Sequence, residues 1–252
     1  MGVVDGPMRV DDLLAYILDQ RASVLRGPLG GWLAASPRFA AFVETYRDKI
    51  RKKIRGLADP ESSRDLQAEL ATAYLLLQER RFALEYEKYG VGKQRAPDFT
   101  VTFRTHSPFN VEVTRLRPAA RPPGADAAPV PGDVKLLNTL CAKIGQMPPS
   151  VPNLLVLAAE GAPYPAAEIT RTMQYLKAQA AQQDDSFFLR RGGDGARAFL
   201  HHYPYLSAIL IAPPDAERAP APALLWANPE ARHALPAAIK TILQRWPQLG
   251  LP

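Results

Sequence analysis

Pro97-Asp98-Phe99-Thr100-Val101-Thr102-Phe103-Arg104 is followed, after Thr105-His106-Ser107-Pro108-Phe109, by Asn110-Val111-Glu112-Val113-Thr114-Arg115-Leu116-Arg117. Both stretches alternate with a period of two, the signature of strands, and the short connection makes them an antiparallel hairpin. Asp98, Thr100 and Thr102 share one face of the first strand, and Phe99, Val101 and Phe103 the other. In the second strand Asn110, Glu112 and Thr114 share a face, while Val111 and Val113 point away. A hairpin therefore brings the Asp98 and Glu112 carboxylates within reach of one point above the sheet.

Working outward from the hairpin, Phe82–Lys88 reads as a preceding strand with Phe82, Leu84 and Tyr86 on one side. Before it, Asp59 suits a helix cap and Pro60 the first helical position of a helix running to about Arg81. Leu66, Leu70, Ala73 and Leu77 form its apolar stripe, with Glu69 at the edge. Residues 8–57 read as helical, from Leu13, Leu14, Ile17 and Leu18 at helical spacing to a helix over Arg38–Ile54.

Beyond the hairpin, residues 118–133 are dominated by Pro and Ala and read as a flexible loop. A helix is predicted over Val134–Met147, a strand over Asn153–Ala159 and a helix over Ala166–Gln183. The Gly-rich loop Arg190–Gly195, the strand Leu206–Ala212 and the connector Pro213–Pro222 follow. Leu224–Trp226 reads as an edge strand and Leu235–Trp246 as a closing helix, with Trp32, Trp226 and Trp246 as packing residues. Strands alternating with helices imply parallel crossovers. The expected fold is α/β: a central mixed sheet flanked by helices in residues 58–252, with an N-terminal helical extension over 1–57.

The chain has 252 residues, 47% hydrophobic and 22% charged, which excludes a disordered polyelectrolyte, a collagen-like chain and a coiled coil. Lys and Arg total 31 against 25 Asp and Glu, a net charge of +6, which permits a polyanionic partner. The single cysteine, Cys141, excludes an intrachain disulfide and, with no secretory pattern in Met1–Val10, predicts a reducing, cytoplasmic setting. No run approaches the roughly 18 apolar residues of a membrane span.

Two carboxylates aimed at one point repel unless a proton or a cation lies between them. Mg²⁺ (or Mn²⁺), a hard cation with oxygen ligands, fits, and Glu69 can supply a third oxygen. Each acid also has a plainer reading. Asp98 can start a strand, Glu112 can pair with Arg104 or Arg115, and Glu69 with Arg81 or Lys88. The basic cluster Arg47, Lys49, Arg51, Lys52, Lys53 and Arg55 reads either as a solvated helix end or as a phosphate-contacting patch. Adjacent His201 and His202 read as surface residues.

An acid-bearing helix (Glu69), Pro97-Asp98, Glu112-x-Thr114, a helix with Lys143 and Gln146, and the apolar strand 153–159 succeed one another in an order that resembles the PD-(D/E)xK nuclease superfamily. The resemblance implies a restriction-endonuclease-like core. It also implies that the strand acids bind Mg²⁺ or Mn²⁺, and that hydrolysis of DNA phosphodiesters is assisted by a lysine at the motif's last position. Here that position is Thr114. Lys143, facing inward on the line Leu136, Leu140, Lys143, Met147, is the migrant candidate, with Gln146 on the same side; Lys93 is a weaker one. The alternatives are a degenerate nuclease fold that binds nucleic acid or protein without cleaving, and an interaction protein of unrelated α/β fold.

Overall fold

The computed structural model describes residues 8–19, 23–88, 96–116, 134–159, 164–212 and 223–246. The expected loop 118–133, the connector 213–222 and Lys93 lie outside these residues. Six strands form one mixed sheet in the strict order β1 (Phe82–Tyr86), β2 (Phe99–Phe103), β3 (Ser107–Leu116), β4 (Asn153–Ala159), β5 (Leu206–Ala212) and β6 (Leu224–Ala227). β1, β2 and β3 are an antiparallel meander, β3, β4 and β5 are parallel, and β6 returns antiparallel on β5. The expected α/β architecture with N-terminal helices is thus the observed one.

Ten α-helices cover the sheet among the described residues: α1 (Val10–Leu18), α2 (Ser23–Ala35), α3 (Pro37–Thr45), α4 (Arg47–Arg55), α5 (Pro60–Gln78), α6 (Val134–Ile144), α7 (Ala166–Ala181), α8 (Asp185–Leu189), α9 (Ala196–His202) and α10 (Ala237–Gln244). One face, carrying Phe99, Val101, Val111, Leu154, Val156 and Leu210, packs under α1–α5 and α10. The opposite face, with Leu116, Leu155, Leu157, Ile209 and Ile211, packs under α6–α9. The N-terminal helices thus share one buried core with the sheet. Trp32, Trp226 and Trp246 are buried, as expected of packing residues. Among the described residues, no helix is long and apolar enough to cross a membrane.

The predicted helix 38–54 is two helices. α3 starts at Pro37, capped by Ser36, whose hydroxyl accepts from Phe39 N at 3.2 Å, and the chain turns at Tyr46 (φ −106°, ψ 16°) before α4. α5 opens as expected, with the Asp59 carboxylate accepting from Ser62 N at 2.7 Å, but stops at Gln78 because Glu79 turns extended. Arg38 takes its loose end, donating to the carbonyls of Leu77 (2.5 Å), Glu79 (2.9 Å) and Phe82 (2.6 Å). β3 begins at Ser107, inside the predicted turn. Pro108 is tolerated there because β4 pairs with β3 only from Asn110 onward, so no neighbour needs the missing N–H.

Candidate functional site

β2 and β3 are paired from Phe103↔Ser107 to Phe99↔Val111. β3 continues to Leu116, paired only with β4 over residues 112–116. The start of β2 therefore leaves a notch in the sheet, flanked by α5 on one face and α6 on the other. Extending the register by one residue sets Asp98 opposite Glu112. Asp98 occupies the end of the ladder: its Oδ2 accepts from Val113 N at 2.8 Å, a donor that no β2 residue meets.

The notch opens into a cavity of about 760 Å³ whose walls include Lys53, Glu69, Glu87, Asp98, Glu112 and Lys143. Thr114 also lines it. Lys143 Nζ donates to Glu112 Oε1 at 2.6 Å, with only 15% and 9% of the two side chains exposed. The inward stem read from the α6 periodicity thus ends on the β3 acid, and Glu112 pairs with neither Arg104 nor Arg115. Arg115 instead bonds Glu61 and lies 3.2 Å from Asp65 on α5. Gln146 donates from Nε2 to Ala142 O at 2.9 Å; its Oε1 is buried without a hydrogen-bond partner among the described residues. It borders a second, smaller hollow shared with Pro97, Asn110 and Glu112.

Glu69 reaches the cavity from α5 and pairs with Lys53, Nζ to Oε1 2.7 Å, rather than with Arg81 or Lys88. Lys53 also holds Glu87 Oε1 at 2.7 Å. Burial works against its charge, but Glu69 and Glu87 outweigh burial and hold its pKa above the ordinary lysine value. Burial raises the Glu69 carboxyl against the pull of Lys53. Burial first, then the negative charges of Glu69 and Glu112, push the Asp98 carboxyl up to about 8, against the Val113 N–H. The Tyr86 hydroxyl is buried beside Glu69, and burial first, then the Glu69 charge, raises its pKa.

No family model, curated protein or solved structure matches this chain.

The structure brings together Asp98, Glu112, Lys143, Thr114 and Glu69, with Gln146 just behind Glu112. The basic cluster is divided. Arg51 and Arg55 meet Asp19 at 3.2 and 2.7 Å, and the Arg47 guanidinium lies 5.7 Å from the Tyr16 ring centre. Lys49 and Lys53 turn toward Glu87, and Lys52 is exposed. Sequence reasoning missed Glu87 and Tyr86 as cavity neighbours and placed Lys53 on the surface patch. A four-residue lysine spacing was visible, but the element it faces is set by the docking of α4. His202 is half-buried beside exposed His201, and burial lowers its pKa. Among the described residues, no three His, Cys, Asp or Glu side chains are spaced to hold a metal ion.

Proposed function

We propose that this protein is a metal-dependent nuclease of the PD-(D/E)xK type, hydrolysing DNA phosphodiesters at the notch where β2 gives out. The observation that carries the reading is the juxtaposition of Asp98 and Glu112 across the end of the β2–β3 ladder, with Lys143 Nζ 2.6 Å from Glu112. The donor set suits Mg²⁺ or Mn²⁺. Each acid commits one oxygen, Asp98 Oδ2 to Val113 N and Glu112 Oε1 to Lys143, and leaves its second oxygen for a cation. Mg²⁺ is commonly bound by one or two carboxylates together with waters and substrate phosphates, so a third protein acid is not required. When bound, the cation polarises the phosphodiester and acidifies a water.

The chain's own residues supply the rest. Asp98 is fixed by the backbone of β3, so its free oxygen points from a rigid element. Lys143 orients Glu112 and places a positive charge beside the position where the phosphate oxygens gain charge, a task the Thr114 hydroxyl performs poorly. Glu69, held by Lys53, lines the same cavity, and its charge acts on Asp98. A second reading, a nuclease fold that binds without cleaving, is favoured by Thr114 at the motif's lysine position.

Mn²⁺ affinity and plasmid nicking of four proteins test both readings. Lys143→Ala is expected to remove most cleavage while leaving Mn²⁺ binding and folding intact. Asp98→Ala is expected to remove both cleavage and metal binding, and Thr114→Lys to preserve or raise cleavage. A wild type that binds Mn²⁺ and never nicks is a non-cleaving member. A wild type that neither binds Mn²⁺ nor nicks ends the nuclease reading.

A further inference from the structure

Lys49 and Lys53 stand one helical turn apart on α4, and both ammonium groups lie over a single aromatic ring. Lys49 Nζ is 5.6 Å and Lys53 Nζ 4.8 Å from the centre of the Tyr86 ring. Lys49 is anchored by the carbonyls of Tyr86 (2.9 Å) and Glu87 (3.3 Å), and Lys53 by Glu69 at 2.7 Å. Two cations are thus fixed side by side. The Glu87 carboxylate balances them, 2.7 Å from Lys53 and 3.8 Å from Lys49.

Glu87 is an odd residue for that position. It follows β1 with φ 46°, a left-handed conformation that side-chain-bearing residues rarely adopt. Its backbone N donates to Asp98 O at 3.0 Å, so the main chain is held whatever the side chain does. The carboxylate is 27% exposed, and the two lysines 40% and 30%, so solvent reaches all three. Glu87 and Lys53 line the same cavity as Asp98 and Glu112.

We infer that Lys49 and Lys53 form a phosphate seat at the mouth of the cavity, and that the Glu87 carboxylate occupies it as a removable stand-in. A phosphodiester carries the same single negative charge as a carboxylate and also presents two oxygens. Exchanging one for the other leaves the charge around Lys49, Lys53 and Glu69 unchanged. The phosphate is that of a nucleic-acid backbone or a free phosphate ion. The inference rests on the nuclease reading for its link to cleavage, since the seat sits beside the acids that would hold the cation.

The competitor's removal gives a gain that misfolding cannot mimic. Glu87→Gln keeps the size of the side chain, and Glu87→Gly also suits the positive φ. Binding of a labelled DNA duplex is measured by fluorescence anisotropy in EDTA, and of inorganic phosphate by calorimetry. Both variants are expected to bind about threefold to tenfold tighter than wild type, with a steeper fall in affinity as salt rises. Adding Lys49→Met to Glu87→Gln is expected to abolish the gain. Tightening for the duplex assigns the seat to a nucleic-acid backbone. Tightening for inorganic phosphate alone assigns it to a free phosphate. Unchanged, weaker or undetectable binding of both ligands by both variants overturns the seat. A wild type that nicks while Glu87→Gln changes no affinity removes the seat and leaves the nuclease reading. A tighter Glu87→Gln protein that binds no Mn²⁺ does the reverse.

Discussion

Asn110 and Glu112 lie two residues apart on the same face of β3, both buried, and they belong to opposite kinds of polar interior. Asn110 sits in a neutral, hydrogen-bonded row. Its Oδ1 accepts from Thr100 Oγ1 at 3.3 Å, and its Nδ2 donates to Asn153 Oδ1 at 3.0 Å. Asn153 Nδ2 lies within hydrogen-bonding distance of the carbonyls of Pro148, Val151 and Tyr205, at 2.7, 3.0 and 2.9 Å. Its backbone N donates to Ser207 Oγ at 2.8 Å, which in turn donates to His233 O at 2.6 Å. This row laces the N-terminal ends of the parallel strands together. Glu112 instead faces a cavity in which buried charges crowd and carboxylate oxygens are left over. The row spends its polar groups on structure; the notch keeps buried charge, at a cost in stability.

Breaking the row is the larger disturbance. Asn153→Ala strands the donors and acceptors around it and is expected to cost roughly 2–4 kcal/mol in urea unfolding. Glu112→Gln keeps an acceptor oxygen for Lys143 and relieves the repulsion on Asp98, so it is expected to change stability by only about 1 kcal/mol while removing Mn²⁺ binding. Equal losses from the two would erase the distinction between row and notch.

The notch is also expected to give the metal-free protein an unusual pH dependence. Asp98 has a folded pKa of about 8, far above the ordinary carboxylate value of 3.8. Between those values the folded state holds a proton that the unfolded chain has lost. Stability therefore falls as pH rises through this window, by up to roughly 1.4 kcal/mol per pH unit. Asp98→Asn, which never ionises, is expected to flatten that slope. Urea unfolding from pH 4 to 8, with chelator present, measures both proteins. A wild type that gains stability over that range would show that Asp98 is ionised in the fold. The smallest effect belongs to Lys52→Glu, on the exposed side of α4. It is expected to shift the unfolding midpoint by an amount equivalent to about 0.5 kcal/mol or less, in contrast to Lys53→Glu, which sets a third acid against Glu69 and Glu87.

How far the notch was legible in the sequence depends on which element each residue sits on. The period-two alternation of 97–104 and 110–117 carried the hairpin and the shared face of Asp98 and Glu112, because strand faces follow parity alone; the register that sets the two acids opposite each other was hidden, since the turn tightens to residues 104–106 and β3 starts at Ser107. The inward stem of Lys143 was likewise legible from α6 periodicity, although its landing on Glu112 was not. Lys53 shows the limit. Its helix announces four-residue spacing, but the facing of that spacing toward Tyr86 and Glu69 depends on how α4 docks on α5 and β1. Glu87 gave no local signal, since a left-handed glutamate after a strand follows from the β1–β2 ladder ending on Asp98 O. The break at Tyr46 was hidden for a similar reason: apolar residues on both sides of it keep helical spacing, and only packing makes the chain turn there.

The strand order has a consequence for how the molecule is made. Since β1 to β6 pair in the order in which they occur along the chain, a polypeptide leaving the ribosome meets the partner of each new strand already in place. The meander carrying Asp98 and Glu112 can close before α6 emerges, leaving Glu112 without its lysine until residue 143 has left the ribosome. Synthesis therefore delivers the two acids ahead of their neutralising charge, and the pairing that joins them needs no residue beyond β3.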